Sequence, residues 1–153
     1  MDQTQHSINL LNGLIEINND RITGYKKAEA VKLESLKELF QDMEADSKQF
    51  IKELSDVVTK LGGTPSTGNT VAGSIFHAYM VMQAGITGND EQSILNSCEY
   101  GEDAAKKAYV HVLNDRNLLT ELISLVQGQF LLMKDDHDKI KTLRDSWTVD
   151  TEN

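Results

Sequence analysis

The chain has 153 residues, a length that suits one domain. Its 15 Lys and Arg residues against 24 Asp and Glu residues give a formal net charge of −9, which argues against a nucleic acid as the main partner because a phosphate backbone binds positive surfaces. One cysteine excludes an internal disulfide, and the first residues lack the basic region and apolar core of a signal peptide, so we expect a cytoplasmic protein.

The first two helices are predicted over residues 5–30 and 34–61. The second has apolar residues at steps of three and four, the period of an amphipathic helix. Gly62, Gly63 and Pro65 follow it, and a glycine cap followed by proline ends a helix. The join between the two helices is short, which predicts an antiparallel hairpin.

The next segment, residues 61–89, contains no Asp, Glu, Lys or Arg. Its apolar run is shorter than the roughly 20 residues that a membrane span needs, so we predict a crossover along the bundle that contains a short helix. The apolar residues of that helix cannot all face one bundle, and we therefore expect a homo-oligomer to form through this segment. The residues predicted at that interface are Ile75, Phe76, Tyr79, Met80 and Met82.

The third and fourth helices are predicted over residues 90–113 and 117–147, with Asn89 or Asp90 as the N-cap of the third. A second short join predicts a second antiparallel hairpin. The predicted fold class is therefore all-α: a ferritin-like four-helix bundle of two antiparallel hairpins joined by a long crossover. We assign residues 1–147 to a single domain and residues 148–153 to a frayed tail.

A polar layer is predicted halfway along the bundle. Each helix contributes one polar residue that lies on or close to its own apolar stripe at the same height: Asn18, Ser47, Glu102 and Gln129. We interpret Glu102 as a buried carboxyl group that the three uncharged residues hydrogen-bond. Such partners make burial of a polar group tolerable and fix the register of the helices.

The motif CEYGEDAA, preceded by LNGLIEINNDRITGYKKAEA and followed by HDKIKTLRD, resembles a bacterial family of ferritin-like four-helix bundles, domain of unknown function 2383. The similarity covers about residues 10–145, and the Gly-Gly-x-Pro turn before the crossover fits the same family. The resemblance implies the fold and assigns no activity.

Ferritin-like bundles commonly hold two iron or manganese ions with a Glu from each of two helices and a Glu-x-x-His motif from each of the other two. Here the second helix offers Glu44, with Ser47 in place of the histidine, and the fourth helix lacks both ligands at the predicted depth. We therefore favour a binding or structural module, without a cofactor and without catalytic residues, over an enzyme. The alternative is an iron or manganese oxidase or metal store with an atypical ligand set around Glu102 and Glu44.

Histidines offer one further candidate site. His137 lies at the edge of the stripe of the fourth helix, where an off-centre metal site with Asp136 or Glu91 is one interpretation and a half-buried histidine without a ligand role is the other. His6 and His111 show no partner pattern and are predicted to be ordinary surface residues.

Overall fold

The computed structural model describes residues 2–28, 34–70 and 91–152. Four long helices make up most of these residues: α1 (Gln3–Ala28), α2 (Glu34–Lys60), α3 (Glu91–Leu113) and α4 (Ile123–Glu152), the last preceded by a 3-10 turn (Thr120–Leu122). The described ranges contain no strand, and the predicted all-α bundle of four helices is confirmed. The predicted crossover helix and the interface residues Ile75, Phe76, Tyr79, Met80 and Met82 lie outside the described residues.

The directions of the helices follow from the side-chain contacts between them. α1 runs antiparallel to α2 and to α3, and α3 runs antiparallel to α4, since a higher residue number on one helix meets a lower number on its neighbour. The contacts are Arg21–Ser47 and Lys26–Glu44 between α1 and α2, Asn18–Tyr109 and Arg21–Glu102 between α1 and α3, and Tyr109–Gln129 and Asp103–His137 between α3 and α4.

The apolar core consists of two clusters, one toward each end of the bundle. All four helices contribute to both, and burial of one large apolar side chain stabilises the fold by about 1.5–3 kcal/mol. The first cluster includes Leu14, Phe50, Leu54, Tyr109 and Val126. The second cluster includes Tyr25, Phe40, Leu95 and Ile140. The buried charged residues Arg21, Glu102 and Asp136 lie between the two clusters.

The C-terminus of α2 is closed as the sequence predicts. Gly62 adopts a positive φ of 90°, and its amide donates to the carbonyl of Thr59 while the amide of Gly63 donates to the carbonyl of Val58. This pair of hydrogen bonds is the Schellman motif, which satisfies the last carbonyl groups of a helix.

After this cap the chain runs along α1. We call residues 64–70 the strap. Its backbone amide at Ser66 donates to Asn12 at 2.8 Å, and the amide side chain of Asn19 donates to the carbonyl of Gly68 at 2.8 Å. The strap therefore satisfies its backbone polar groups on the outer face of α1 and begins the return along the bundle.

The join between α3 and α4 differs from the prediction. The fourth helix was expected to begin at residue 117, but residues 114–119 form turns in which Asp115 accepts hydrogen bonds from the backbone amides of Asn117 and Leu118. The buried side chains of Leu118 and Leu122 fix this join on the end of the bundle. α4 consequently begins at Ile123, and it continues past the predicted end to Glu152.

Candidate functional site

The four predicted polar residues are all buried, with exposed fractions between 0 and 2 per cent for Asn18, Ser47, Glu102 and Gln129. They do not form one layer. Ser47 and Glu102 share a partner, whereas Gln129 lies at the level of Tyr109. The delayed start of α4 moves the residue that faces Glu102 about two helical turns along α4, so Asp136 takes the place predicted for Gln129.

The shared partner is Arg21, which the sequence interpretation missed. Its side chain is 2 per cent exposed and lies in the centre of the bundle. Nε donates to Glu102 at 3.0 Å, Nη2 donates to Asp136 at 3.1 Å, and Nη1 donates to Ser47 at 2.8 Å. We call Arg21, Ser47, Glu102 and Asp136 the central layer. Each of the four helices contributes one of its members.

The expectation that uncharged groups surround Glu102 is therefore wrong. Arg21 binds its carboxylate through two nitrogens, Nε at 3.0 Å and Nη2 at 3.3 Å, the paired geometry in which arginine recognises a carboxylate most strongly. The guanidinium carbon also lies 5.4 Å from the centre of the Tyr25 ring and 6.0 Å from that of Phe50, distances at which a cation is attracted to an aromatic face.

Burial and ion pairing act in opposite directions on the central layer. Burial raises the pKa of Glu102, against the effect of the Arg21 guanidinium. Burial likewise raises the pKa of Asp136 to about 7, with Arg21 opposing the rise and Glu102 adding to it. Burial alone would lower the pKa of Arg21, but the two carboxyl groups outweigh it and raise that pKa. The guanidinium thus stays charged and makes the burial of both acids tolerable.

A second set of hydrogen bonds lies next to the central layer. The hydroxyl of Tyr109 accepts from Asn18 at 2.9 Å and donates to Gln129 at 2.7 Å. The Gln129 amide donates in turn to the carbonyl of Phe50 at 3.3 Å and to Glu53 at 3.1 Å. Burial raises the pKa of Tyr109, so its hydroxyl keeps its proton and remains a donor. Two of the predicted polar residues, Asn18 and Gln129, are therefore joined through Tyr109.

The residues of the central layer do not fit a di-iron or di-manganese centre. Arg21 lies between the two carboxylates that would bind the ions, and its positive charge opposes a metal cation in the same space. Glu44, the other predicted ligand, is 7 per cent exposed and forms ion pairs with Lys48 at 3.1 Å and Lys26 at 3.9 Å. Among the described side chains, these contacts leave no set of acid and histidine ligands around a common point in the centre of the bundle.

His137 lies outside the central layer, on the α3 side of α4. Of the two acids proposed as its partners, Asp136 is paired with Arg21 and not with His137. The side chain of Glu91, the other acid, is not among those that the structure describes. The acids beside His137 are Glu99 and Asp103, whose carboxylate oxygens lie with one imidazole nitrogen within 4.8 Å of one another. Two acids therefore lie beside His137, but they are not the Asp136 or Glu91 named in the sequence interpretation.

His6 also departs from the prediction, since it is not an ordinary surface residue. Its Nε2 lies 2.8 Å from the carboxylate of Asp115, and this contact ties the N-terminal end of α1 to the turn between α3 and α4.

Arg21 was detectable in the sequence. Leu14, Asn18, Arg21, Tyr25 and Ala28 follow one another at steps of four, three, four and three, the spacing of one helix face. A stripe drawn through Ile22 instead places Arg21 beside the apolar face. Charge usually predicts exposure, which holds for most arginines but not for one with two acidic partners.

Among the described residues, no helix combines the length and apolar character that a membrane crossing needs. A family profile described as Domain of unknown function (DUF2383) matches residues 6–115. The match covers more than half of the chain, and the chain therefore belongs to this family. No curated protein matches it.

Proposed function

From membership in that family and from the central layer, we propose that this protein is a ferritin-like binding or structural module that self-associates, and that it is neither a di-iron nor a di-manganese enzyme. The observation that carries the proposal is the ion pairing of Arg21 with both Glu102 and Asp136, at 3.0 and 3.1 Å. In this arrangement a side chain of the protein supplies the positive charge that metal ions supply in metal-loaded bundles.

The donor set supports the same conclusion. A di-metal centre of this class needs acids from four helices and histidines from two of them. Here Ser47 stands three residues after Glu44, where the motif has histidine, and its hydroxyl accepts a hydrogen bond from Arg21. The remaining inward acids, Glu102 and Asp136, are bound to the same guanidinium. Redox chemistry at a metal pair has no free ligands in this layer.

Self-association is supported by the composition of residues 61–89, which contain no charged side chain while the rest of the chain is rich in them. An uncharged, largely apolar segment of this composition is buried more favourably against a second copy than left in water. The partner we propose is therefore another copy of this chain, and the segment that carries the contact contains Phe76 and Met80.

Metal analysis of untagged protein tests the first part of the proposal. We expect iron and manganese well below two ions per chain, and oxidation of added Fe²⁺ no faster than in buffer. A pair of iron or manganese ions per chain that is lost in Glu102→Gln would overturn the proposal and establish the alternative, a ferritin-like metal oxidase or metal store.

Light scattering over a range of concentrations tests the second part. We expect the wild-type protein to be a dimer or larger and Phe76→Glu to be a monomer, because a charge is costly in an apolar interface. Leu131→Glu is the matched control, since Leu131 is an exposed apolar residue on α4, and it should leave the assembly intact. A monomeric wild type contradicts self-association, and dissociation by the control alone places the contact on α4.

A further inference from the structure

We propose that Glu99, Asp103 and His137 form a binding site for a single divalent transition-metal ion, separate from the central layer. Glu99 and Asp103 are four residues apart on α3, so their side chains lie on the same helix face. α4 places His137 opposite them, and the three potential ligand atoms all lie within 4.8 Å of one another. One ion between the two helices is within reach of all three.

The imidazole supplies an independent observation. His137 is 8 per cent exposed, and its Nε2 has no hydrogen-bond partner within the described ranges. This nitrogen lies 2.7 Å from a carboxylate oxygen of Asp103, but the contact does not have the direction of a hydrogen bond. A cation bound by both atoms would satisfy this buried nitrogen.

The second nitrogen of the ring also fits a ligand role. Nδ1 of His137 lies 3.5 Å from the carboxylate of Asp138. A metal-binding histidine usually donates its other N–H to a carboxylate or carbonyl, which leaves the ligating nitrogen unprotonated and orients the ring. Asp138 is in a position to accept the N–H of Nδ1, which would leave Nε2 unprotonated.

The chemistry of the three ligands defines the class of ion. One imidazole nitrogen and two carboxylate oxygens suit Zn²⁺, Mn²⁺ or Fe²⁺ better than Mg²⁺ or Ca²⁺, which prefer oxygen ligands throughout. Three protein ligands leave at least one position for water. Asp103 is half exposed, with a side-chain exposure of 51 per cent, so the ion can enter from solvent without opening the bundle.

Calorimetric titration of untagged, metal-stripped protein with ZnCl₂, and in parallel with MgCl₂, tests the site. We expect one Zn²⁺ per chain and no comparable binding of Mg²⁺. Asp103→Asn and His137→Ala should each lower the affinity for Zn²⁺ by at least about tenfold, since each removes a ligand. His111→Ala is the matched control, because His111 is an exposed histidine on the same helix as Glu99 and Asp103, and it should bind Zn²⁺ like the wild type.

Asp103→Asn keeps the test decisive even where His137→Ala fails to fold, because Asp103 lies largely at the surface. Absence of Zn²⁺ binding in the wild type, or equal binding by Asp103→Asn, overturns the site. Glu102→Gln separates this proposal from that of the central layer: it leaves Zn²⁺ binding unchanged if the ion is at His137. Loss of binding in Glu102→Gln with full binding in Asp103→Asn would place the metal in the centre of the bundle and overturn both proposals.

Discussion

At the scale of single residues, Arg21 is the side chain on which the charge balance of the interior depends. We expect Arg21→Met to lower the free energy of unfolding by about 3–5 kcal/mol, because it leaves two carboxyl groups buried without a counter-charge. Urea denaturation followed by circular dichroism measures the change. Lys107→Met, at an exposed position of α3, is the control and should stay within about 0.5 kcal/mol of the wild type. A loss below 1 kcal/mol in Arg21→Met, on the order of one ordinary hydrogen bond, would contradict the role given to the ion pairs.

The hydroxyl of Tyr109 joins two buried amide side chains in the interior. Tyr109→Phe removes the hydroxyl that joins Asn18 to Gln129 and leaves both amides short of one partner. We expect a loss of about 1–3 kcal/mol, the cost of unsatisfied buried polar groups, measured by the same denaturation. Tyr100→Phe, at a tyrosine that is 62 per cent exposed, should change the stability by much less. Equal effects of the two substitutions would show that the interior hydrogen bonds contribute little.

Single residues were the part of the site that the sequence predicted least well. The burial of Asn18, Ser47, Glu102 and Gln129 was correctly inferred from helix periodicity, because an apolar face buries whatever lies on it. The hydrogen-bond partners of these residues were not correctly inferred, because a hydrogen bond depends on which atoms of neighbouring helices come into contact. Periodicity along one helix carries no information about distances between atoms of different helices. The pairing of Arg21 with Glu102 and Asp136 needed the register of two other helices, α3 and α4.

At the scale of secondary-structure elements, the cap of α2 depends on a close approach to α1. A Cβ atom at Gly63 would lie 2.8 Å from Cγ2 of Ile8 and 3.1 Å from Cγ1 of Val58. Both are branched side chains of the core, and they have little freedom to move. Gly63 is thus a position where the absence of a side chain lets the chain turn tightly onto the bundle.

We therefore expect Gly63→Ala to lower the free energy of unfolding by about 1–3 kcal/mol through overpacking. Gly13→Ala is the matched control, because a Cβ there meets nothing within 4 Å and Gly13 lies inside α1. Alanine is the better helix former, so this control should raise the stability by about 0.5–1 kcal/mol. Thermal unfolding of the two variants, compared with the wild type, checks both signs. A stabilised Gly63→Ala would contradict the packing described for the cap.

The helices were well predicted except for the start of α4, and the join between α3 and α4 explains this difference. Long helices follow from periodicity and from the near absence of proline, and the ends of α2 and α3 agree with prediction to within a residue or so. The sequence predicts a short connection after residue 113 and helix from residue 117. The backbone there instead turns on Asp115, and this local hydrogen bonding shifted the register of the second hairpin.

At the scale of the whole molecule, the central layer divides an otherwise continuous apolar core into two clusters. Replacing its charges together, with Arg21→Met, Glu102→Leu and Asp136→Leu in one variant, would join them. We expect the triple variant to be as stable as the wild type or more stable by about 1–4 kcal/mol, because apolar packing commonly equals or exceeds a buried ion-pair network. The comparison with Arg21→Met alone, by urea denaturation, isolates the cost of unpaired charge.

The triple variant also tests what the layer contributes beyond stability. If the ion pairs fix the register of the helices, the variant should show broadened or duplicated amide resonances in a two-dimensional NMR spectrum, since an uninterrupted apolar core permits alternative packings. A single sharp set of resonances would mean that packing alone determines the register. A loss of stability as large as that of Arg21→Met would show that the two clusters do not join.

The position of Arg21 has a consequence for how the bundle matures. A counter-charge that belongs to the polypeptide is present as soon as the chain is synthesised, cannot dissociate, and has no second oxidation state. Under the proposed function, the centre of the protein would therefore reach its final form without a metal-loading step, and its stability would not depend on the supply of iron or manganese.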